Sequence, residues 1–398
     1  MKHIKISLQH LYLGLILVIL FGQSVFQNFS FISNMSLLLI SVTQLFKLTN
    51  KERGVVCVLF LWIILLLAYT MLRGNPLLSA LRFGAILFII CYAYFWKIKP
   101  EFFLRLLFYV SAFAVFCLYC LELFMFSLSI EESKALRETV FLPNRIGDVF
   151  YYYVYYKLEL KGTALITFVY ILSYVVDIFP HKYRNHLRCF YLIGAVLAGN
   201  FAYQMAIVLF HILHTLYNLQ YGLKRMGGMF ILLFLFTIVS GSSLVSYSLF
   251  VLESKADDSN ALKTEQVKLL IEDLNTPQEL LLGAGLGNAF TAHGYMRDYS
   301  GDNSYYEVQT MYVFNQLGLV GFTILVLYNT ILTFRRIRYP ELLIVYFVYI
   351  AYASSNPYIW DTNHIVVIIT LICSMRIMSK NKLTQRINYV NKADVYNQ

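Results

Sequence analysis

Glycine recurs in Gly283-Ala-Gly285-Leu-Gly287-Asn288 with the spacing of a loop whose backbone comes close to something else, either another helix or a ligand headgroup. The Lys-Ser/Thr of a P-loop is missing, as is a strand-turn-helix context, so a nucleotide cradle is a poor match. Cys117-x-x-Cys120 has the spacing of half a zinc or redox site. No second pair or nearby His accompanies it, and it reads as two small apolar residues of a lipid-embedded helix. Arg82 lies inside an apolar run, where a charge either snorkels to the interface or has a function.

The elements that position these residues are set by composition. The 398 residues are 59% hydrophobic and only 14% charged, too few charges for the polar skin of a soluble chain of this length. With about 20 apolar residues needed to cross the hydrocarbon, the sequence predicts about twelve membrane segments in a single all-α membrane domain, 1–398. They are 8–26, 31–46, 55–72, 77–95, 102–126, 163–179, 188–199, 201–221, 228–250, 308–333, 341–354 and 363–377. Segments 188–199 and 341–354 are too short to cross unaided at about 1.5 Å per residue and are expected to tilt or to pair as broken elements lining a cavity. Met1-Lys-His-Ile-Lys opens an apolar run with no small-x-small cleavage site, which predicts an uncleaved first helix.

Charge sets the expected orientation. Lys and Arg cluster in alternate short loops, so that one side holds 21 of the 32 bases and only 5 acids, which makes that side cytoplasmic and places both termini there. The bases form no continuous patch, which argues against nucleic acid as a partner despite a net charge of +10. The opposite side carries two long loops. The first, 127–162, ends in the run Tyr151-Tyr-Tyr-Val-Tyr-Tyr156, read as an interfacial element. The second, 251–307, begins with an amphipathic helix over 261–274 that Pro277 is expected to end, and leads into the glycine cluster.

Within that second loop the residues resemble a family. Ser259-Asn260-Ala-Leu-Lys263-x-x-Gln266, Leu282-Gly283-x-Gly285-Leu-Gly287, Tyr305-Tyr-Glu307-Val-Gln309, Leu317-Gly318-Leu-Val-Gly321 and Asn356-Pro357-Tyr358 are together similar to bacterial O-antigen and capsule repeat-unit polymerases of the Wzy type, within the O-antigen ligase-like superfamily. The resemblance covers roughly residues 259–360. It implies a GT-C-like, metal-independent glycosyltransferase of the bacterial inner membrane, with no cofactor and a periplasmic active site. Its partners would be undecaprenyl-diphosphate-linked glycans, the bilayer and a chain-length regulator. The alternatives left open are an O-antigen ligase, which shares the architecture, and a transporter or flippase of lipid-linked oligosaccharide. Transporters tend to show repeated halves and midplane binding sites, neither of which is clear in this chain.

Such a reaction needs a base for the acceptor hydroxyl and, without a metal, cations for the departing diphosphate. Glu307, where a polar loop enters an apolar span, is the expected base; the bland reading is an acid at a helix N-terminus interacting with its dipole. Lys263 stands where the family usually has Arg, and Arg297, His293, Arg82, Arg145 and Arg73 are further candidates for diphosphate or glycan contacts, with Tyr306 beside the base. Each of the loop cations is also readable as a solvated charge. One departure stands out: where ligases and many polymerases carry Ser-Arg at a helix break, this chain has Ala198-Gly199-Asn200-Phe-Ala-Tyr203-Gln204, and Arg82 or Arg137 would have to supply the cation.

Overall fold

The computed structural model describes residues 14–20, 30–143, 147–152, 155–160, 163–218, 260–288, 306–354, 356 and 358–396. Their helices are α1 (Ser30–Leu45), α2 (Asn50–Leu72), α3 (Leu77–Ala93), α4 (Pro100–Phe126) and α5 (Ile130–Leu136), which continues into a π-helical turn at Arg137–Phe141. After a hairpin of β1 (Gly147–Tyr152) and β2 (Tyr155–Leu160) come α6 (Thr163–Leu172), α7 (His181–Leu197) and α8 (Phe201–Tyr217). The chain closes with α9 (Asn260–Glu272), α10 (Pro277–Leu282), α11 (Gln309–Arg336), α12 (Pro340–Ser354) and α13 (Thr362–Tyr396).

Among the described residues, four helices are long and apolar enough to cross a membrane: Asn50–Leu72, Pro100–Phe126, Gln309–Arg336 and Thr362–Asn381. Shorter apolar helices accompany them, including α3, α6, α8 and α12. The chain is therefore a predominantly helical, multi-pass membrane protein, since a helix satisfies its own backbone where no water is present. Burial separates the lipid-facing helices from the central one. The apolar window of α2 is 22% buried and presents Val58, Leu61 and Leu65 outward, whereas that of α13 is 78% buried. Interior polar groups join helices: Tyr94 and Thr333 hydroxyls lie 2.9 Å apart, and Tyr346 Oη lies 2.9 Å from His364 Nε2.

Basic helix ends meet at one end of the bundle. Glu52, in a capping box with Thr49 at the start of α2, pairs with Lys97 and Arg336, both at 3.1 Å. Arg376 donates to the carbonyl of Trp96 (2.9 Å), and Lys380 pairs with Glu101 at 3.0 Å. Residues that the charge pattern assigned to one side thus touch one another.

Several expectations are revised in detail. The loop 127–162 contains α5 and an antiparallel pair of strands in which Phe150 opposes Lys157 and Tyr151 opposes Tyr156, so Tyr151, Tyr152, Tyr155 and Tyr156 belong to a two-stranded ribbon. Aromatic residues favour that pleated conformation. Pro277 begins α10 instead of ending the preceding helix, because at the first helical position its missing N–H costs nothing. Segment 163–179 is helical only to Leu172, and 188–199 belongs to a longer helix that starts at His181. The expected span 228–250 lies outside the described residues.

Candidate functional site

The glycine cluster docks on protein. α10 ends at Gly283 (φ +84°), and α11 has a kink at Gly318 (φ +64°) against which that turn lies. Ala284 N–H donates to Asn315 O (2.8 Å), Gly285 N–H to Gln316 O (3.1 Å), and Gly287 N–H to Gln316 Oε1 (2.9 Å). Leu286 N–H donates to Thr70 Oγ1 (2.8 Å), while Tyr69 Oη–H and Asn75 Nδ2–H donate to the carbonyls of Gly283 and Ala284, each at 2.9 Å. With these amides committed, no row of N–H groups is left for a phosphate. Of the two occupants the sequence allows, the loop's close neighbour is helix.

A Cβ on Gly283 would collide with the Gln316 carbonyl and fall 2.6 Å from Gly318 N. Gly283→Ala is therefore expected to destabilise the protein by about 2–5 kcal/mol, combining left-handed backbone strain with overpacking. Thermal unfolding of the purified variant in detergent checks this; an unchanged midpoint would show that the loop undocks freely. The dock is clamped by charge, since Arg73 at the end of α2 pairs with Glu279. Burial raises the Glu279 pKa, but hydrogen bonds from Arg73 and Thr276 outweigh it and hold the carboxyl below its ordinary value.

Directly beside this dock, α9 brings Lys263 to Glu307. Lys263 Nζ lies 4.0 Å from Glu307 Oε2, with both side chains partly exposed. One turn along α9, Gln266 is fully buried, and its Oε1 accepts the N–H groups of Glu307 (2.9 Å) and Val308 (3.2 Å). Gln266 thereby fixes the backbone from which Glu307 projects, immediately ahead of α11. Its Nε2 is buried with no partner among the described residues. Asn315 extends the support by donating to Leu270 O and Asp273 Oδ2, both at 2.9 Å, and Asp273 also accepts from Asn288 at the end of the glycine loop (2.8 Å).

A polar seam continues from there. Gln309 Oε1 accepts from Trp360 N–H (3.0 Å), which ties the start of α11 to the turn before α13. In that turn region Asn356 accepts from Asn200 Nδ2–H (3.1 Å), and Asn200 caps α8 at the break between α7 and α8. The break turns on Gly199 (φ +61°), where a Cβ would fall 2.5 Å from Lys157 Cγ. Lys157 of β2 therefore lies across the break, and it is buried. Its Nζ is 5.6 Å from the Phe150 ring centroid, and the Arg137 guanidinium sits over the same ring at 4.1 Å. The hairpin is held by Glu122 of α4, buried in a membrane-length helix, which accepts Tyr156 N–H at 2.7 Å.

The other candidates fall as follows. Arg82 is exposed on α3 with no ion pair among the described residues, next to Phe83, whose ring meets Tyr312 at 5.9 Å. Tyr306 is buried and stacked on Tyr312 at 4.6 Å, a packing position beside the carboxylate. A second lysine of α9, Lys268, which the sequence reading did not count among the candidates, is exposed and pairs along the helix with Glu272 at 3.8 Å. Arg145, His293 and Arg297 lie outside the described residues. Among the described residues no three His, Cys, Asp or Glu side chains converge to hold a metal ion, and Cys117 and Cys120 are free thiols.

Sequence reasoning did not single out Lys157. Its signal was the alternation Tyr156-Lys157-Leu158, which places a Lys on one face of a strand and apolar residues on the other. No family model, no curated protein and no solved structure matches the chain.

Proposed function

We propose that this protein is a metal-independent glycosyltransferase that polymerises oligosaccharide repeat units carried on undecaprenyl diphosphate. The reading includes a GT-C-like fold of about twelve spans in the inner membrane. The basic end of the bundle would be cytoplasmic, since Lys and Arg accumulate on that side. α11 runs from Gln309 to Arg336, up to about 40 Å at the helical rise. Glu307 therefore stands at the end opposite the Glu52–Lys97–Arg336 cluster, which is the periplasmic end in this reading.

In the proposed reaction, a hydroxyl of the acceptor repeat unit attacks the anomeric carbon of the donor's reducing-end sugar. The bond from that carbon to the diphosphate oxygen breaks, and undecaprenyl diphosphate leaves with the electron pair. Glu307 takes the hydroxyl proton. Lys263 positions the carboxylate and contributes positive potential near it, while Lys157, across the Gly199 break, and Arg137, over the same Phe150 ring as Lys157, are assigned to the charge developing on the leaving diphosphate. The observation that carries the reading is the Glu307 carboxylate facing Lys263 at 4.0 Å, on a backbone whose N–H is held by buried Gln266.

Comparing the carrier-linked glycan pool in a deletion strain with its parent tests this. A polymerase predicts that single repeat units alone remain on the lipid and at the surface. Long polymer retained on the carrier would make the protein a ligase, and repeat units trapped at the cytoplasmic leaflet would make it a transporter.

A further inference from the structure

At the basic end of the bundle, α4 and α13 line an open cavity of about 470 Å³. Lys99, Arg105, Arg376 and Lys380 line it, against the single carboxylate of Glu101, and Phe102 adds an exposed ring. Lys380 is held by Glu101 at 3.0 Å in a well-exposed pair that opens at little cost. Arg376 is fixed in the wall by the carbonyls of Trp96 (2.9 Å) and Ile98 (3.3 Å), neutral acceptors that leave its charge in place. No carboxylate lies within ion-pair distance of Lys99, Arg105 or Arg376 among the described residues.

The floor adds to the cations. α4 begins here with Lys99 at its N-cap, which makes no side-chain cap, and Pro100 at the first helical position. The first-turn amides of Glu101 and Phe102 have no intrahelical acceptor, and the helix dipole places its positive end at the same point. Both flanking helices are of membrane-crossing length. In a bilayer, the basic ends of two such helices fall at the level of the lipid headgroups.

We propose that this cavity binds the phosphate of an anionic phospholipid headgroup, with Lys99 and Arg105 at its rim and Arg376 at its back. A basic pocket between membrane helices, combined with a helix N-terminus, suits a phosphodiester better than any neutral headgroup. Phe102 offers the apolar surface along which the glycerol and first acyl carbons would lie. This site is independent of the glycosyltransferase reading and stands at the other end of the molecule from Glu307.

The test uses the full-length protein in nanodiscs of phosphatidylcholine doped with phosphatidylglycerol, with retained lipid counted by native mass spectrometry. The double variant Lys99→Gln/Arg105→Gln should retain phosphatidylglycerol on the order of thirtyfold less tightly than wild type. Lys51→Gln/Arg53→Gln, which removes two exposed bases of the same end outside the cavity, should stay within about twofold of wild type on the same scale. Lys99→Arg/Arg105→Lys should bind as wild type does, which separates charge from folding. Equal retention by the first variant and wild type, or an equal loss in the Lys51/Arg53 variant, overturns the site. Binding of inorganic phosphate by protein in phosphatidylcholine alone, with no preference for phosphatidylglycerol, overturns the lipid assignment in favour of a soluble phosphate.

Discussion

Glu307→Gln is expected to leave the protein in the membrane at its normal level while reducing surface glycan to single repeat units. The amide is nearly isosteric, and its loss of charge touches only a partly exposed pair at 4.0 Å, a separation at which such pairs contribute less than about 1 kcal/mol. Gln266 continues to hold the Glu307 and Val308 amides, because those bonds are made to backbone. Stability should therefore hardly move. Activity should fall by about 10²–10⁴-fold, the range for removal of a general base, which suffices to collapse a ladder built by many successive additions. The competing account makes Glu307 an acid interacting with the dipole of α11, worth about 0.3–1 kcal/mol; it predicts a small drop in melting temperature and a normal ladder. Gel profiles of extracted glycan, read beside a thermal melt, separate the two. Normal ladders from the Gln variant would remove Glu307 from the chemistry. Lys263→Ala should weaken the ladder less, since Lys263 adjusts the carboxylate instead of accepting the proton.

Much of this arrangement was legible in the residues, and the remainder was hidden for identifiable reasons. Long apolar runs bounded by basic residues gave most of the described helices to within a few positions, because in a bilayer the helix length and its charged ends are both imposed by the solvent. Lys263 and Glu307 were each legible as candidates on one loop, but their approach to 4.0 Å was not, since it depends on how α9 packs beside the start of α11. Gln266 was visible as part of a motif, but its role was not, because a buried Gln on an otherwise ordinary amphipathic helix gives no sign of which amides it will meet. The hairpin escaped because strand pairing is a two-body property. Neither Gly147–Tyr152 nor Tyr155–Leu160 states alone that it has a partner, and the tyrosines fit an interfacial segment equally well. The glycine cluster was ambiguous for a related reason. Positive φ at Gly283, Gly285 and Gly287 requires glycine whether the close neighbour is a phosphate or the kink at Gly318, and only the three-dimensional contacts choose.

The missing cation at the helix break leads to the second large effect. Lys157→Met should abolish polymer while keeping the hairpin in place, because Met retains the apolar stem that packs over Gly199 and removes only the ammonium. If that ammonium stabilises the departing diphosphate, the rate of chain extension should fall by about 10²–10³-fold, as when one preorganised group is withdrawn from developing charge. Lys157→Arg should restore part of the activity, since a guanidinium also contacts phosphate, whereas Arg137→Gln should have a smaller effect because its guanidinium is seated on the Phe150 ring at 4.1 Å. A purely structural Lys157 predicts a different pattern. In that case Met would lower the melting temperature and the membrane level of the protein together with polymer yield, and Arg, being bulkier at a buried position, would be the worse of the two replacements. Measuring polymer length and melting temperature on the same three variants therefore decides whether the second strand of the hairpin supplies what the break between α7 and α8 lacks.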